Sequence, residues 1–196
     1  MTKLITILVP AFNEEDVITL FYEETCKIID EITGDKYNFE FLFINDGSED
    51  QTLNILSVLR KKDKRVCYID LSRNFGKEIA LSAGFDNISK KSEAVIIMDS
   101  DLQDPPFLIK NMIKEWESGY DDVYAKRSSR QGESYLKTLT SYLFYRVLSF
   151  FSDVPIQKDT GDFRLLDKKA FKAIQGFRES QRYTKGLFSW IGYKKK

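Results

Sequence analysis

The sequence predicts an α/β protein built on a doubly wound, mainly parallel sheet flanked by helices, and three observations predict it. Short β-rich runs alternate with helical stretches over the first two-thirds of the chain, the order that right-handed β-α-β crossovers produce. The fourth run, Ala94 to Met98 (AVIIM), is continuously apolar rather than alternating, which marks a central strand covered on both faces. The chain has 196 residues, 42% hydrophobic and 31% charged, which suits one domain with a sizeable core, short of the roughly 250 residues at which chains begin to split.

Taken in order, Leu4 to Val9 (LITILV) reads as a strand ended by Pro10. Asn13-Glu14-Glu15-Asp16 supplies caps and negative charge for a helix over Val17 to Ile32, which Gly34 ends. Phe39 to Ile44 is the second strand, closing on the turn cluster Asn45-Asp46-Gly47-Ser48, with a helix near Gln51 to Lys61 after it. Val66 to Leu71 is the third strand, and Gly76 to Ile88 a helix whose Ala80, Leu81, Ala83 and Gly84 form a small-residue packing face. After Ala94 to Met98, Asp104-Pro105-Pro106 starts another helix, with Asp104 as cap and proline in the first turn. Beyond Val123-Tyr124-Ala125 the alternation fades into a basic, aromatic segment, Lys126 to Phe151. Apolar residues at three- and four-residue spacing predict an amphipathic helix from about Glu133 to Phe151.

Thirty Lys and Arg balance thirty Asp and Glu, which argues against bulk nucleic-acid binding. There is no histidine. Ser-His-Asp and Cys-His machinery, zincin metal sites and imidazole bases are therefore excluded, and acid-base or metal chemistry must rest on carboxylates. Cys26 and Cys67 stand in helix and strand contexts and read as unpaired structural thiols of a reducing compartment. Thr2-Lys3 runs straight into a short apolar run, unlike a secretory leader. The apolar stretch Leu139 to Phe151 contains Arg146 and is shorter than the roughly 20 residues needed to span a bilayer.

Ligands of doubly wound sheets sit beyond the carboxyl ends of the strands, which directs attention to four loops: Pro10 to Glu14, Asn45 to Asp50, Ser72 to Lys77 and Asp99 to Pro106. The last carries Asp99-Ser100-Asp101-Leu102-Gln103-Asp104, three carboxylates within six residues. Such repulsion is ordinarily relieved by a hard divalent cation, and Mg²⁺ or Mn²⁺ suits an all-oxygen site that keeps positions open for a substrate diphosphate. The alternative is a capping Asp104 with Asp99 and Asp101 as solvated turn residues.

Val9-Pro10-Ala11-Phe12-Asn13-Glu14-Glu15, Asn45-Asp46-Gly47-Ser48, Arg73-Asn74-Phe75-Gly76-Lys77 and Met98-Asp99-Ser100-Asp101-Leu102-Gln103-Asp104-Pro105-Pro106 stand in the order found in family 2 glycosyltransferases. With Gly161-Asp162-Phe163-Arg164 and Arg182-Tyr183-Thr184-Lys185-Gly186-Leu187-Phe188-Ser189-Trp190, the chain resembles the polyisoprenyl-phosphate branch, the bactoprenol glucosyltransferase and dolichol-phosphate mannose synthase group. The resemblance implies the A-type glycosyltransferase fold, Rossmann-like and mainly parallel. It also implies one catalytic domain over 1–196, with a nucleotide-sugar half to about residue 125 and an acceptor, membrane-facing half after it. It further implies transmembrane helices beyond this chain and a place on the cytoplasmic face of the membrane.

By the same resemblance Pro10, Ala11, Phe12, Glu14 and Asp46 hold the base and ribose, with capping as the alternative for Asn13 and Glu14. Lys77, at a helix start, contacts phosphate, or is a surface lysine. Asp99, Ser100 and Asp101 lie at the donor diphosphate, with Asp99, Asp101 and Gln103 as metal ligands. Asp162 is the catalytic base, or orients a basic residue or the sugar, since a phosphate acceptor arrives largely ionised. Arg127, Lys137 and Ser141 match the two arginines and serine that hold the acceptor phosphate in archaeal mannose synthases, with lysine replacing one arginine. Arg182 and Lys185 belong to a loop closing over the diphosphate, or are surface charge; Trp190 reads as a packing anchor.

The implied reaction is metal-dependent, inverting hexosyl transfer from a nucleotide sugar, UDP-glucose preferred and GDP-mannose an alternative, to a polyprenyl phosphate such as undecaprenyl phosphate. The implied partners are that donor, that acceptor and a membrane surface, with no nucleic acid and with a homo-oligomer left open. A family 2 transferase with a saccharide acceptor is the nearest rival. A nucleotidyltransferase would need a glycine-rich phosphate cradle where this chain has Pro-Ala-Phe-Asn-Glu-Glu. A phospho-receiver or nucleotide-sensing module would centre its aspartates on the third strand rather than the fourth.

Overall fold

The computed structural model describes residues 2–34, 36–126, 160–177 and 184–196. Along them run β1 (Lys3–Ala11), α1 (Ile18–Ile32), β2 (Tyr37–Asn45), α2 (Thr52–Lys62), β3 (Val66–Asp70), α3 (Lys77–Asn87), β4 (Ser92–Ile97), α4 (Leu108–Glu117) and β5 (Asp122–Lys126). β6 (Thr160–Asp167), α5 (Lys168–Gln175) and α6 (Thr184–Trp190) follow. The expected amphipathic helix at 133–151 lies outside the described residues, as do Arg127, Lys137, Ser141 and Arg182.

The strands form one sheet in the order β3-β2-β1-β4-β6-β5. β1, β2, β3 and β4 are mutually parallel, as the alternation predicts. β6 is the departure: it runs antiparallel between β4 and β5. Its sequence, TGDFRLLD, carries a glycine, an arginine and two aspartates, so the pattern of a buried strand does not show through.

Side-chain alternation divides the core into two layers. Ile5, Ile7, Val9 and Ala11 of β1 face Phe21 and Ile29 of α1, Leu56 of α2 and Ile109, Met112 and Trp116 of α4. Leu8, Leu42, Ile44, Val95 and Ile97 face Ala80, Leu81 and Phe85 of α3, Phe171 and Ile174 of α5 and Phe188 of α6. Each fully buried aliphatic or aromatic side chain contributes roughly 1.5–3 kcal/mol. The small-residue face of α3 has a direct cause: a Cβ on Gly84 would lie 2.3 Å from a methyl carbon of Leu8, so glycine lets the helix seat on β1.

β1 does not end at Pro10 but continues through Ala11, paired with Asn45. The Leu8 carbonyl accepts from Met98 N–H, so the alternation turns the Pro10 nitrogen to the same side, where pairing with β4 stops at Leu8↔Ile97. A missing N–H costs nothing at that edge. The last residues add a further strand segment beside β5, with Asp122 bridging Lys195 in parallel. Both cysteines are free thiols. No helix among the described residues is long and apolar enough to cross a membrane.

Candidate active site

Because β1 and β2 are parallel and in register to Ala11↔Asn45, their following loops meet at one end of the sheet. Asn13 takes a left-handed φ of 55°. Its N–H donates to Ser48 Oγ at 3.0 Å and its Oδ1 accepts from Glu49 N–H at 2.8 Å. Glu14 N–H donates to Thr52 Oγ1, Glu15 N–H to Asp50 Oδ2, and Gln51 N–H to Glu15 Oε2. The expected capping of α1 is therefore corrected: α1 starts at Ile18 without a side-chain cap or an acid in its first turn. The side chains of Asn13 and Glu15 are drawn instead to the next loop, where the start of α2 leaves orphan N–H donors. Asp104 is likewise not the cap of α4, which begins at Leu108 with no side-chain capping bond; backbone turns from Pro105 and Pro106 carbonyls start it.

The Asn-Asp-Gly-Ser turn supports the loop before α3. Asp46 is 3% exposed, with Oδ1 accepting from Phe75 N–H and Oδ2 from Gly76 N–H, each at 2.8 Å. Gly47 has φ 65°, and a Cβ there would stand 2.2 Å from the Arg73 carbonyl carbon, so only glycine lets the two loops touch. Asn45 Nδ2 ties the end of β2 to Asp70 of β3 at 2.7 Å.

Lys77, the first residue of α3, extends its ammonium between two carboxylates. Nζ lies 2.6 Å from Asp99 Oδ1, 2.7 Å from Asp99 Oδ2 and 2.6 Å from Asp162 Oδ2. Partial burial pulls the ammonium down, but Asp162 and then Asp99 outweigh it and the net shift is upward. The strand register explains the meeting: Ile97 pairs with Arg164 in an antiparallel ladder, so two residues on, Asp99 comes opposite Asp162.

Pro10, Ala11, Phe12, Glu14, Asp46, Lys77, Asp99, Ser100 and Asp101 all line one cleft of about 310 Å³, completed by Asn74, Gly76 and Ala80. Burial pushes the Glu14 carboxyl up; Ser100 donates to it and counters this, while Asp101, Asp99 and Asp50 add to the rise. Asp101 Oδ1 accepts from Gln103 N–H at 3.0 Å across Leu102, whose φ is 59°. Gln103 itself is exposed and outside the cleft lining. Among the described residues no three His, Cys, Asp or Glu side chains are grouped for a metal ion. The donor set still fits a hard divalent cation held by two carboxylates, Asp99 and Asp101, with its other positions left to substrate and water. Four carboxylates against one ammonium make a cleft that repels a diphosphate unless a cation accompanies it.

The final motif packs against the start of α3. Thr184 N–H donates to Glu78 Oε2 at 2.7 Å, and its hydroxyl donates to the same oxygen. α6 is thereby docked beside Lys77, and Lys185 follows one residue after that contact.

The model of the family described as "Glycosyl transferase family 2" matches residues 6–175. The chain belongs to glycosyl transferase family 2. Within it, the chain is 40% identical over 190 residues to a prophage bactoprenol glucosyl transferase homolog of Escherichia coli K12, covering 97% of this chain and 60% of that protein. It is 41% identical over 188 residues to the bactoprenol glucosyl transferase of Shigella phage SfV, covering 96% and 60%. An uncharacterized glycosyltransferase of Synechocystis is 43% identical, covering 99% and 59%. The chain thus spans under two-thirds of the length of these relatives.

Among solved structures, the mannosyltransferase PcManGT of Pyrobaculum calidifontis, in complex with GDP-Man and Mn²⁺, superposes with a TM-score of 0.64 at 20% identity, covering 100% of this chain and 54% of that one. S. aureus TarS 1-349 in complex with UDP gives 0.60 at 19%, covering 100% and 57%. These likenesses establish the A-type glycosyltransferase fold.

Within the family 2 motif Gly161-Asp162-Phe163-Arg164, the sequence alone assigns no task to the arginine. Arg164 is fully buried and paired with buried Asp122 at 3.1 Å, with its guanidinium carbon 3.7 Å from the Phe188 ring centroid. Burial pulls the guanidinium down and pushes Asp122 up, and each partner opposes the other's shift. The signal was there: a lone cation between Phe163 and Leu165 in a strand must bury its charge against a partner. Glu78 and Asn74 carried no such mark.

Proposed function

We propose that this chain is the catalytic domain of an inverting glycosyltransferase that moves a hexose, glucose preferred, from a nucleotide diphosphate sugar to a polyprenyl phosphate such as undecaprenyl phosphate. One observation carries the transfer chemistry: Asp99 and Asp101 stand at the carboxyl end of β4 in a cleft of about 310 Å³, with Asp162 joined to Asp99 through Lys77. The bactoprenol glucosyl transferases that resemble the chain along nearly all its length support a polyprenyl acceptor and glucose as the sugar; UDP-glucose is the first donor to test and GDP-mannose the second. The full-length protein would act at the cytoplasmic membrane face.

Pro10, Ala11, Phe12 and Glu14 would receive the nucleotide, on a loop that five hydrogen bonds to the neighbouring turn hold in place. Asp46, with both oxygens engaged, acts mainly by fixing the backbone at Phe75 and Gly76. Asp99 and Asp101 would hold Mg²⁺ or Mn²⁺, which when bound offsets charge on the departing nucleoside diphosphate. An acceptor phosphate oxygen then bonds to the anomeric carbon as the bond to the diphosphate breaks, and the configuration inverts. The acceptor arrives ionised, so Asp162 need not remove a proton; its bond to Lys77 suits it to position that ammonium. Arg127, Lys137 and Ser141 would take the acceptor phosphate, and Arg182 with Lys185 the diphosphate.

The test is transfer from labelled UDP-glucose and GDP-mannose to undecaprenyl phosphate in vesicles, with and without Mn²⁺. Label is expected in the lipid from UDP-glucose. Asp101→Asn should lower the rate about a hundredfold or more, the scale of losing one charge-stabilising group. Robust lipid glycosylation by that variant would remove the metal assignment, and labelled saccharide with unlabelled lipid would favour the rival acceptor.

A further inference from the structure

Lys77 occupies an unusual position for a residue expected only to meet phosphate. Its ammonium touches both oxygens of Asp99, one of the two carboxylates assigned to the divalent cation, and is held there by Asp162 from the other side. Three N–O distances of 2.6–2.7 Å leave little room for a second cation on Asp99 without displacing the ammonium. The position is built in: Gly76, at φ 95°, starts α3, Asp46 clamps the two N–H groups before Lys77, and Glu78 is held by Thr184.

We propose that Lys77 is an internal placeholder cation, which weakens metal binding to the empty cleft and is drawn off Asp99 by the donor diphosphate. The proposal rests on the metal reading above. Without nucleotide, Asp99 is neutralised by Lys77, and a divalent cation must displace it. When a diphosphate enters, its oxygens offer the ammonium a second anion in the same cleft, and Asp99 is released to the metal. Metal and nucleotide therefore bind with positive coupling, through Lys77 as well as by direct contact, and by linkage each raises the other's affinity equally. Asp162 positions the placeholder: it anchors Nζ throughout, so the ammonium pivots between Asp99 and the diphosphate rather than leaving the site. The consequence for the reaction is protective, because a metal ion that arrives only with its donor is not recruited to an empty acidic cleft.

The experiment measures free Mn²⁺ by electron paramagnetic resonance, first with Mn²⁺ alone and then with UDP present. The proteins are the 196-residue chain, Lys77→Gln, Lys77→Arg and Arg73→Gln. Arg73 belongs to the same loop but stacks on Phe75, so its loss matches the charge change of Lys77→Gln without touching Asp99. The expected result is Mn²⁺ binding at least fivefold tighter to Lys77→Gln than to wild type when UDP is absent, with a smaller gain on adding UDP. Lys77→Arg and Arg73→Gln should both stay near wild type. Equal affinity of Lys77→Gln and wild type without UDP overturns the proposal, as does an equal gain in Arg73→Gln, which would reduce the effect to net charge. Wild type that fails to bind Mn²⁺ even with UDP overturns the metal reading itself, and the placeholder with it. Circular dichroism of each variant establishes that it is folded; Lys77→Met, which also removes the ammonium from Asp99, takes the place of Lys77→Gln if that variant is not, with the same expected gain and the same refuting result.

Discussion

Asp46→Asn should destabilise the domain by about 2–4 kcal/mol although it preserves size and shape. Each carboxylate oxygen accepts one backbone N–H, from Phe75 and from Gly76, at 2.8 Å, and the side chain is 3% exposed. Asparagine keeps one acceptor oxygen and turns its amide donor against the other N–H. One charge-assisted hydrogen bond is lost, worth about 1.5–3 kcal/mol, and a donor is left unsatisfied at about 1–3 kcal/mol; the two overlap, since both describe the same N–H. A melting temperature falls about 2–4 °C per kcal/mol in a domain of this size, so the drop should be about 5–15 °C. Urea unfolding followed by far-ultraviolet circular dichroism gives the free energy, with an unchanged slope showing that only stability moved. Asp70→Asn is the control, because Asp70 accepts from Asn45 Nδ2 through one oxygen, which asparagine also provides. If the two variants lie within about 0.5 kcal/mol of each other, the scale of an ordinary surface change, Asp46 does not clamp the loop that carries Lys77.

Two further outcomes follow from buried or shared charges. Arg164→Met should cost about 3–5 kcal/mol by leaving Asp122 buried without its guanidinium, whereas Arg164→Met with Asp122→Leu should recover most of it; equal losses in urea unfolding would show that the pair is not the cause. Burial opposes the Asp63 charge, but Arg65 and Tyr22 outweigh it and hold the group below its ordinary 3.8. In acid the unfolded chain then binds the extra proton first, so this stabilisation is present above pH ~4 and is lost as pH falls through the native value. Asp63→Asn should therefore be less stable than wild type by about 1–2 kcal/mol at pH 7, with the difference closing in strong acid; a constant difference across that range would contradict the assignment.

What was legible in the sequence was whatever local pattern dictates. Ala94 to Met98 could be read as a central strand because burial on both faces leaves no polar alternation, and both faces are indeed covered. The carboxyl-end loops followed from parallel order alone, and nine of the residues named on them line one cleft. Partners across loops were not legible. Asn13 and Glu15 look like caps because they precede a helix, yet the orphan donors they meet belong to the start of α2. Asp46 reads as a ligand by its place in a loop, and only its two backbone donors reveal a structural task.

The antiparallel strand resolves a difficulty that a wholly parallel sheet would pose. In a wholly parallel sheet only strand ends face the carboxyl-end cleft, so the first residues of a strand reach it only if that strand runs against its neighbours. β6 does so because it runs against β4. Its first residues, Gly161 and Asp162, stand at the end where β4 delivers Asp99, with the register fixed at Ile97↔Arg164. That register resists slipping: Phe163 and Leu165 fill the core layer of α1 and α4, while Leu166 fills that of α3 and α5. A shift by one residue would exchange the two sets and turn the buried Arg164 away from its layer. The pairing of Asp162 with Lys77 is therefore secured by apolar side chains that never touch the cleft, and the motif Gly-Asp-Phe-Arg is as much a register lock as a set of site residues.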